Sequence, residues 1–593
     1  MCGIVACRTG GRATEFLLPA LRQLEYRGYD SAGVAVGDPR TGSLSVVRSS
    51  GRLSALQQQV DAHRRRLTGG LGIGHTRWAT HGAPTDRNAH PHRDCTGDLA
   101  LVHNGIVDNA PELRAELRGR GHDLRTDVDS EVLVHLIEEQ RRAGHPLAES
   151  TWRALSRARG SWAVAVLARD SDALVVASHR SPLVLAGTGD GVLAASDVMG
   201  LLGRAATVHV LGDGDVADIG AEVRWYGSDG TRKAPPEPVN APWAVSDVQM
   251  TGFDDYMEKE IAEQAVLSSR LLERQVPKVA DGALWRDLGL PLPARVRFVA
   301  CGTSYNASAV AARVVRRVAG LPTQLVTASE HDAHLPEPDV LTVAVSQSGE
   351  TADVLTAVEQ PHGPLLAVTN ALHSTLARRA DAVLDCRAGP EVGVAATKTF
   401  TAQVLVGSAL GLALAAARGV DVSEHVASLA RVPAQLRAAD EIAGPLAEKL
   451  ATDLSGATGF LFIGRGAGLP YAAEGALKLK EITYRWAECH AAGELKHGPI
   501  ALIERGTPVV VVDEPDNRRL DGNIAEITAR GARLIRIGAN GDSTFPVLAG
   551  VNGAPWGPLP AVLPLQHLAR RLARTLGHDP DRPRNLAKSV TVE

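Results

Sequence analysis

The residue with the clearest chemical potential stands at the start of the chain, where Cys2 follows Met1. Removal of the initiator methionine would give Cys2 a free α-amine beside its thiol. Because an α-amine has a pKa of about 7.7–8.0, part of it is unprotonated near neutral pH and can take the thiol proton directly or through a water. Many proteins carry a cysteine near their start, so position alone does not establish a nucleophile.

Polar residues further along the chain supply the groups that a thiol nucleophile would need. Attack on a carboxamide creates an oxyanion, which the side-chain amide of Asn104 and the backbone N–H of Gly105 can stabilise as fixed donors. Arg77 can pair with an α-carboxylate and Asp129 can receive an α-ammonium, which together would select a free amino acid. Taken singly, each of these residues is better explained by a solvated charge or a turn.

Five histidines crowd the same region and raise the alternative of a metal site: His75, His81, His90, His92 and His103. Their spacing resembles no closed zinc site, and no cysteine joins them in a ligand pattern. The sequence analysis therefore predicts no metal site.

The second half of the chain contains two clusters of hydroxyl side chains that could bind a phosphate. Ser346, Ser348 and Thr351 lie between an apolar strand and a predicted helix, where hydroxyls and free N–H groups can form a cradle for an anion. Thr303 and Ser304 give a second cluster in an equivalent turn. One Ser-rich loop is usually a helix cap and a turn, but two clusters at matching strand ends predict a site.

Ionisable groups concentrate in one later helix. Spacings of four and three residues place Glu474, Lys478 and Glu481 on one helical face, which could equally be a surface ion-pair face. Lysine usage favours chemistry, because only nine of the 63 basic residues are lysine and arginine would serve a surface ion pair as well. Carboxylate, imidazole and amine together supply the ring opening, carbanion sink and proton transfer of an aldose–ketose isomerisation.

The hydrophobic pattern indicates two kinds of fold that would position these groups. Residues 4 to 225 alternate short apolar strands with a few helices, which is an α+β or layered αββα pattern. Beyond a stretch rich in Pro and Gly, the segments that begin at 295 and 459 look like copies of one parallel α/β unit. We interpret GRGAG (464–468) as close packing of a strand and a helix rather than as a dinucleotide site.

Five motifs of the first half occur in an order known from one family: CGIVAC (2–7), LEYRGYDSAG (24–33), HTRWATHG (75–82), NAHPH (88–92) and HNGI (103–106). They resemble the class II glutamine amidotransferase domain of the glucosamine-6-phosphate synthase family. The resemblance implies an N-terminal-nucleophile hydrolase fold, with Cys2 as glutaminase nucleophile and Asn104 and Gly105 as oxyanion hole. It implies that Trp78 gates an ammonia passage. The residues implied to hold glutamine are Arg77, Thr80, His81 and Asp129.

The resemblance continues through six motifs of the second half: CGTSYN (301–306), SQSGETAD (346–353), EVGVAATKTFTAQ (391–403), EGALKLKEI (474–482), GELKHGP (493–499) and RNLAKSVTVE (584–593). It implies two α/β sugar isomerase (SIS) subdomains with parallel sheets. By motif position, Lys588 resembles the Schiff-base lysine, Glu481 the proton-shuttling base and His497 the ring-opening group, with Glu474 and Lys478 as helpers. The residues implied to contact the sugar phosphate are Thr303, Ser304, Ser346, Gln347, Ser348, Thr351 and Val394.

The resemblance sets the expected organisation and reaction. We expect an amidotransferase domain over 1–227, a linker over 228–250, and SIS subdomains over 251–430 and 431–593. The expected reaction converts fructose 6-phosphate and L-glutamine to glucosamine 6-phosphate and glutamate, with ammonia passed between sites and no cofactor. One departure is Ala265, where the family pattern would have proline, which leaves the coupling of the two halves open.

Composition narrows the partners and the compartment. A net charge of -4 indicates neither a nucleic acid nor a membrane partner, and six scattered cysteines with no signal peptide favour a cytoplasmic protein. The longest apolar stretch, at 404–417, is too short to cross a bilayer and predicts a buried helix.

The resemblance also suggests a homodimer, because SIS sites are often completed by a neighbouring chain in the family. The alternatives are an amidophosphoribosyltransferase, an asparagine synthetase, a non-catalytic SIS sugar-phosphate sensor, and a paralogue acting on a related ketose phosphate. The motifs that the first two require are absent from the sequence.

Overall fold

The computed structural model describes residues 2–590 except 242, 332–336, 338, 361–362, 515–517, 540–542, 549–550 and 552. The chain divides into two compact units, one that extends to Val248 and one that spans Gln249–Lys588. Each unit has its own sheets and cores, as expected for a chain too long for one hydrophobic core.

The first unit consists of antiparallel strands and helices. Its strands are β1 (Gly3–Thr9), β2 (Ser31–Asp38), β3 (Ser43–Ser50), β4 (Leu71–Arg77), β5 (His92–Arg93), β6 (Leu99–Val107), β7 (Gly160–Ala168), β8 (Leu174–His179), β9 (Val184–Thr188), β10 (Gly191–Ala195), β11 (Thr207–Val210), β12 (Asp215–Ile219), β13 (Val223–Tyr226), β14 (Arg232–Lys233) and β15 (Pro238–Asn240). Its helices are α1 (Ala13–Gln23), α2 (Leu53–Ala62), α3 (Ala110–Gly119), α4 (Glu131–Arg142) and α5 (Leu147–Leu155).

Two sheets of the first unit pack face to face between helical layers. Their strand orders are β15-β11-β9-β10-β1-β4-β2-β3 and β14-β13-β12-β8-β7-β6-β5. Apolar residues of both sheets, such as Ile4 and Val102, form one core between them, while a second core joins the outer face of β6–β8 to α3, α4 and α5. Helices α1 and α2 pack on the first sheet. The predicted αββα fold is therefore confirmed.

The second unit alternates parallel strands with helices. Its strands are β16 (Arg295–Ala300), β17 (Thr323–Thr327), β18 (Val340–Val345), β19 (Leu365–Thr369), β20 (Ala382–Asp385), β21 (Gly459–Gly464), β22 (Trp486–Ala491), β23 (Pro508–Val512) and β24 (Arg533–Ile537). Its helices are α6 (Tyr256–Ala262), α7 (Gln264–Val279), α8 (Ala283–Asp287), α9 (Gly302–Val314), α10 (Ala352–Ala357), α11 (Thr375–Arg379), α12 (Lys398–Ala417), α13 (Ser423–Leu429), α14 (Val432–Leu454), α15 (Leu469–Thr483), α16 (Arg518–Thr528) and α17 (Val562–Thr575).

The two parallel sheets of the second unit repeat one topology. Their orders are β17-β16-β18-β19-β20 and β22-β21-β23-β24, so that in each sheet the first strand of the chain lies between the second and the third. The predicted duplication is confirmed. The glycine-rich turn after β21 also packs as predicted, because a Cβ on Gly464 would lie 2.7 Å from the backbone of Gly468.

The region between the predicted domains differs from the sequence analysis in one respect. The short strands β14 and β15 fall within the expected linker, yet they pair with β13 and β11, so the first unit extends to Val248. After the expected linker, the chain forms two helices, α6 and α7, that meet at Glu263. Ala265 is the second residue of α7, a position where the N–H has no partner inside the helix and proline is tolerated.

Helix α12 is long and apolar enough to cross a membrane by length and composition, although the sequence analysis took its apolar stretch to be too short. Almost all of its residues are buried within the second unit, where it packs against α7 and α9. Its apolar composition is explained by this position in the core.

A buried ion pair joins α17 to the start of α6. Arg570 is fully buried and donates to both carboxylate oxygens of Asp255 at 2.8 Å, and Asp255 also accepts the N–H of Glu258 as the N-cap of α6. Burial alone would raise the pKa of Asp255, but the hydrogen bonds from Arg570 outweigh it and hold that pKa below its usual value.

We expect Arg570→Met to lower the free energy of unfolding by about 3 kcal/mol, because it removes the fully buried cation from the Asp255 carboxylate and leaves only the partly exposed Arg574 beside it. Arg574→Met is the matched control, since Arg574 contacts the same carboxylate from a position 39% exposed and should contribute about 1 kcal/mol or less. Thermal unfolding of both variants measures the difference. Equal losses in the two variants would contradict the assignment.

Candidate active sites

In the first unit, the pairing of β1 with β4 brings Cys2 to Trp78. Gly3 pairs with Thr76, so the residue before β1 lies beside the residue after β4. The Trp78 N–H donates to Cys2 Sγ at 3.3 Å, and the Trp78 carbonyl lies 3.6 Å from the same sulfur. Burial raises the pKa of the Cys2 thiol, so a base must take its proton before it can attack.

Asn104 lies beside Cys2 with its amide held in one orientation. His75 Nε2 lies 3.1 Å from Asn104 Oδ1 and 3.0 Å from the carbonyl of His103. Both of these partners are acceptors, so Nε2 carries the proton and donates to them. The Nδ2 group of Asn104 then points the other way and donates to the Cys2 carbonyl at 2.9 Å. A fixed N–H donor beside the thiol is what an oxyanion hole requires.

Gly105 has a conformation and a packing that exclude any side chain. Its φ is +124°, and a Cβ there would lie 2.1 Å from the carbonyl oxygen of Ser161 on the neighbouring strand. The backbone at Gly105 is therefore fixed by sterics as well as by the sheet.

The residues expected to hold glutamine divide into two groups. Arg77 is buried and donates to the loop carbonyls of His81 and of Gly82, the latter at 3.0 Å, while Asp129 accepts the Val107 N–H at 2.8 Å. Thr80 and His81 are less buried, and among the described residues no hydrogen bond joins their side chains to Cys2. The structure therefore places Arg77 and Asp129 as buried charges beside β4 and β6.

The crowded histidines stack on one another rather than converge on a point. His75 and His90 are stacked with ring centroids 4.1 Å apart, and His90 meets His92 edge-on at 4.3 Å. Burial lowers the pKa of His75 to about 3, so this ring is neutral. His103 contacts the Ser130 hydroxyl at 2.7 Å. His75, His90 and His92 therefore form a buried stack, whereas His81 is exposed on the loop that follows β4.

In the second unit, α15 presents three ionisable groups to the start of α9. Lys478 Nζ lies 2.6 Å from Glu481 Oε2 and 3.6 Å from Glu474 Oε1. Thr303 and Asn306 of α9 donate to the two oxygens of Glu474 at 2.9 and 2.8 Å. Glu474 and Lys478 are 1% exposed and Glu481 is 20% exposed, so the face is a buried network that reaches solvent at Glu481.

The charges of this network stabilise one another. Burial alone would lower the pKa of Lys478, but the carboxylates of Glu481 and Glu474 outweigh it and raise that pKa. Burial raises the pKa of Glu474. The charge of Glu391 also raises the pKa of Lys478, which places the Glu391 region within electrostatic range.

Lys588 is held in this same region by the segment that follows β20. Its Nζ donates to Glu391 Oε2 at 2.5 Å and to the Gly393 carbonyl at 2.7 Å. Glu391 is fully buried and also accepts the N–H groups of Thr397 and Thr399. Burial acts in the opposite direction, but the Lys588 cation lowers the pKa of Glu391 to about 2.

Two further residues of this region were not singled out by the sequence analysis. Glu391 is the first residue of the motif EVGVAATKTFTAQ, which belongs to the family resemblance. An acidic residue directly before the apolar residues of that motif could have indicated a buried carboxylate. Glu260 is buried and accepts the N–H of Val392 at 2.5 Å, on a helix whose sequence looks like an ordinary charged surface. Burial and the nearby Glu391 raise the pKa of Glu260 to about 8.

The hydroxyl cluster at 346–351 forms a hydrogen-bonded turn after β18. Ser346 Oγ lies 2.9 Å from Thr351 Oγ1 and accepts the Gly349 N–H, and Ser348 accepts the Glu350 N–H. Helix α10, which follows, has only six residues, so the hydroxyls rather than a helix terminus characterise this turn. In the second cluster, Ser304 accepts a hydrogen bond from the Gln403 side chain at 3.0 Å.

The remaining predicted site residues of the second unit are Gln347, Val394 and His497. Gln347 uses its carbonyl to accept the N–H of Asn370, and Val394 is buried with its N–H donated to the Asp581 carbonyl. His497 is exposed at the end of a 3-10 segment, Ala492–His497. Among the described residues, no hydrogen bond or ion pair links it to Glu481 or Lys588.

Comparisons with known proteins match different parts of the chain to two kinds of domain. A glutamine amidotransferase domain model matches residues 75–203, and a SIS domain model matches 293–413 and 453–549. A C-terminal domain of glucosamine-fructose-6-phosphate aminotransferase from Francisella tularensis has a TM-score of 0.52 and 31% identity, covering 56% of this chain and all of that one. The fold and the sites thus define a glutamine amidotransferase joined to a duplicated SIS unit.

Full-length relatives identify the family. Glutamine–fructose-6-phosphate aminotransferases (isomerizing) from Thermus thermophilus and Mycobacterium leprae are 44% and 41% identical to this chain, with complete coverage of both chains in each case. The chain belongs to the glutamine–fructose-6-phosphate aminotransferase (isomerizing) family.

The raised pKa of Glu260 gives a pH dependence with a definite sign. A carboxyl whose pKa is about 8 when folded and about 4.5 when unfolded stabilises the protein below pH 4.5, and this stability is lost as pH rises through 8. Glu260→Gln keeps the acceptor for Val392 and cannot titrate. We expect its melting temperature at pH 8 to exceed that of the wild type by about 3 °C or more, with little difference at pH 5.

Melting curves from pH 5 to 9 measure this effect. Glu424→Gln, on the exposed surface of α13, is the control and should follow the wild-type profile. Parallel profiles for Glu260→Gln and the wild type would show that Glu260 is ionised in the folded protein.

Proposed function

We propose that this chain makes glucosamine 6-phosphate from fructose 6-phosphate with nitrogen from L-glutamine, in the cytoplasm and without a cofactor. The observation that carries the proposal is the presence of two separate sets of chemical groups in one chain. One set is a thiol beside a fixed amide donor in the first unit. The other is a buried carboxylate–lysine network beside Lys588 in the second.

In the first unit, Cys2 attacks the glutamine carboxamide after its α-amine removes the thiol proton. The Asn104 Nδ2 group, which donates to the Cys2 carbonyl in this structure, and the Gly105 N–H bind the oxyanion of the tetrahedral intermediate. Arg77 binds the substrate α-carboxylate and Asp129 its α-ammonium, with loop residues Thr80 and His81 closing over the amino acid.

Release of ammonia leaves a thioester on Cys2, which water hydrolyses to glutamate. Trp78 gates the passage of this ammonia toward the sugar site. Its position is supported by the contact of its backbone with the Cys2 sulfur, which couples the gate directly to the nucleophile.

In the second unit, the hydroxyls at 346–351 and the Thr303–Ser304 turn bind the sugar phosphate, with Gln347 and Val394 lining the sugar. Lys588 forms a Schiff base with the C2 carbonyl of the open ketose, and ammonia displaces it. Glu481 then carries the proton between C1 and C2, a role supported by its being the member of the network that reaches solvent. Glu474 and Lys478 fix its position and charge.

The group that opens the sugar ring is His497, and we propose that it acts on the site of a neighbouring chain in a homodimer. Two observations support this proposal. His497 is exposed, and among the described residues it has no hydrogen bond or ion pair with Glu481 or Lys588. Mixing His497→Asn protein with Lys588→Arg protein should then restore activity, since one mixed site contains both intact residues.

We expect the mixture to recover up to about a quarter of wild-type activity if subunits exchange at random, while each variant alone is inactive. Light scattering at low micromolar concentration checks the dimer. A monomer, or a mixture as inactive as its components, would contradict the shared site.

The direct test incubates purified protein with glutamine and fructose 6-phosphate and measures glucosamine 6-phosphate and glutamate together. Equal amounts of the two products are expected. Glutamate without amino sugar would remove the synthase assignment and would favour a paralogue that uses another ketose phosphate.

Two reciprocal variants separate the halves of the reaction. Cys2→Ala should abolish the use of glutamine but leave measurable isomerisation of fructose 6-phosphate to glucose 6-phosphate. Lys588→Arg keeps a cation for Glu391 but cannot form a Schiff base, so it should lose amino-sugar formation by at least about 100-fold while glutamine hydrolysis continues. If folded Cys2→Ala protein lost both activities, the division of labour would be wrong.

A further inference from the structure

Four side chains of the first unit that the glutaminase chemistry does not use converge on one point. Cys95 lies in the turn between β5 and β6, His122 lies between α3 and α4, and His135 and Glu138 share one face of α4. One ligand-type atom from each residue lies within 4.8 Å of the other three. The two imidazoles and the carboxylate are buried, and the thiol is half-buried.

The distances within this cluster are those of a tetrahedron. Cys95 Sγ lies 3.5 Å from Nδ1 of His122 and 3.5 Å from Nδ1 of His135, and the two Nδ1 atoms are 3.2 Å apart. Glu138 Oε2 lies 3.1 Å from each of the same nitrogens. A tetrahedral zinc ion with Zn–N bonds of about 2.05 Å and a Zn–S bond of about 2.3 Å has edges of about 3.3 Å between nitrogens and about 3.6 Å between nitrogen and sulfur.

The donor set and its charge fit the same ion. One thiolate, two neutral imidazoles and one carboxylate are ligands that zinc takes in proteins, and their tetrahedral arrangement favours zinc over magnesium or calcium. The thiolate and the carboxylate together carry two negative charges, so a divalent cation would make the buried group neutral. At most one of two Nδ1 atoms that face each other can carry a proton, so a lone pair already points into the cluster.

Neighbouring groups hold the four ligands in place. His122 Nε2 faces Glu139 Oε1 at 3.6 Å, the carboxylate–histidine pair that commonly orients a metal-bound imidazole. The Asp123 N–H donates to Cys95 Sγ at 3.5 Å, and Arg142 pairs with the second oxygen of Glu138. The ligands come from three separate segments, so a bound ion would tie all three together.

We propose that Cys95, His122, His135 and Glu138 bind one structural zinc ion in the first unit. All four protein ligands are present, which leaves no open position for catalysis and makes the ion a cross-link. The cross-link joins the start of β6, which carries Asn104, to α4, which follows Asp129. Binding displaces the Cys95 thiol proton and any proton on the two Nδ1 atoms to solvent, so the affinity for zinc falls with falling pH.

The test loads the full-length protein with zinc sulfate, dialyses it against metal-free buffer and measures zinc by mass spectrometry. We expect about one zinc per chain. Replacement by Co²⁺ should give the strong visible bands of a tetrahedral site and a thiolate charge-transfer band in the near ultraviolet. Removal of zinc with a chelator should lower the melting temperature, and added zinc should restore it.

Single variants identify the ligands. Cys95→Ser should remove the charge-transfer band, and His135→Asn and the milder Glu138→Gln should weaken zinc binding by at least about tenfold. Cys489→Ser and His145→Asn are matched controls of the same residue types outside the cluster and should retain the metal. None of these changes touches a residue assigned to glutamine, so failure of this site and failure of the proposed function are distinguishable.

Two outcomes would overturn the proposal. Wild-type protein that holds no zinc after dialysis would show a hydrogen-bonded cluster only. Equal loss of zinc in the control and the cluster variants would place the ion elsewhere. The zinc content of the wild-type protein is measured without any substitution. The test therefore remains decisive even if a variant does not fold.

Discussion

The ion pair between Lys588 and Glu391 is enclosed by protein, and this enclosure constrains the residues around it. A buried carboxylate is stable only when cations and N–H groups satisfy its oxygens, and Glu391 has one lysine and two backbone donors. A second carboxylate nearby cannot ionise as easily, so the pKa of Glu260 rises while that of Glu391 falls. The pair therefore determines which neighbouring group holds a proton.

The same principle connects Lys588 to α15. Lys478 lies between Glu474 and Glu481 and also responds to the charge of Glu391, so the lysines and carboxylates form an alternating arrangement of charge. Because Glu481 pairs with Lys478 and Lys588 pairs with Glu391, the predicted base and the predicted amine can lie near each other without pairing with one another. Isomerisation and imine chemistry both need this, since a carboxylate must take a carbon-bound proton beside an amine that bonds to carbon.

The sequence was sufficient for both folds, because short alternating strands and repeated strand–turn–helix units have distinct periods. It was weaker wherever the answer depended on which segments become neighbours. Glu260 and Glu391 lie far apart along the chain and acquire meaning only when Glu260 accepts the N–H groups that follow Glu391. The four residues of the zinc proposal are dispersed in the same way. Of these four residues, only His135 and Glu138 have a spacing that indicates one helix face.

In both candidate sites, a neighbouring side chain orients a predicted catalytic group. His75 fixes the Asn104 amide by donating to its oxygen, which leaves the N–H group directed toward Cys2. Glu391 fixes the Lys588 amine in the corresponding way. An amide or amine that is already oriented needs little reorganisation when charge develops, and preorganised groups of this kind can stabilise a transition state. A zinc ion between β6 and α4 would add a further positioning contact. It would fix the strand that contains Asn104 relative to the start of the helix that follows Asp129.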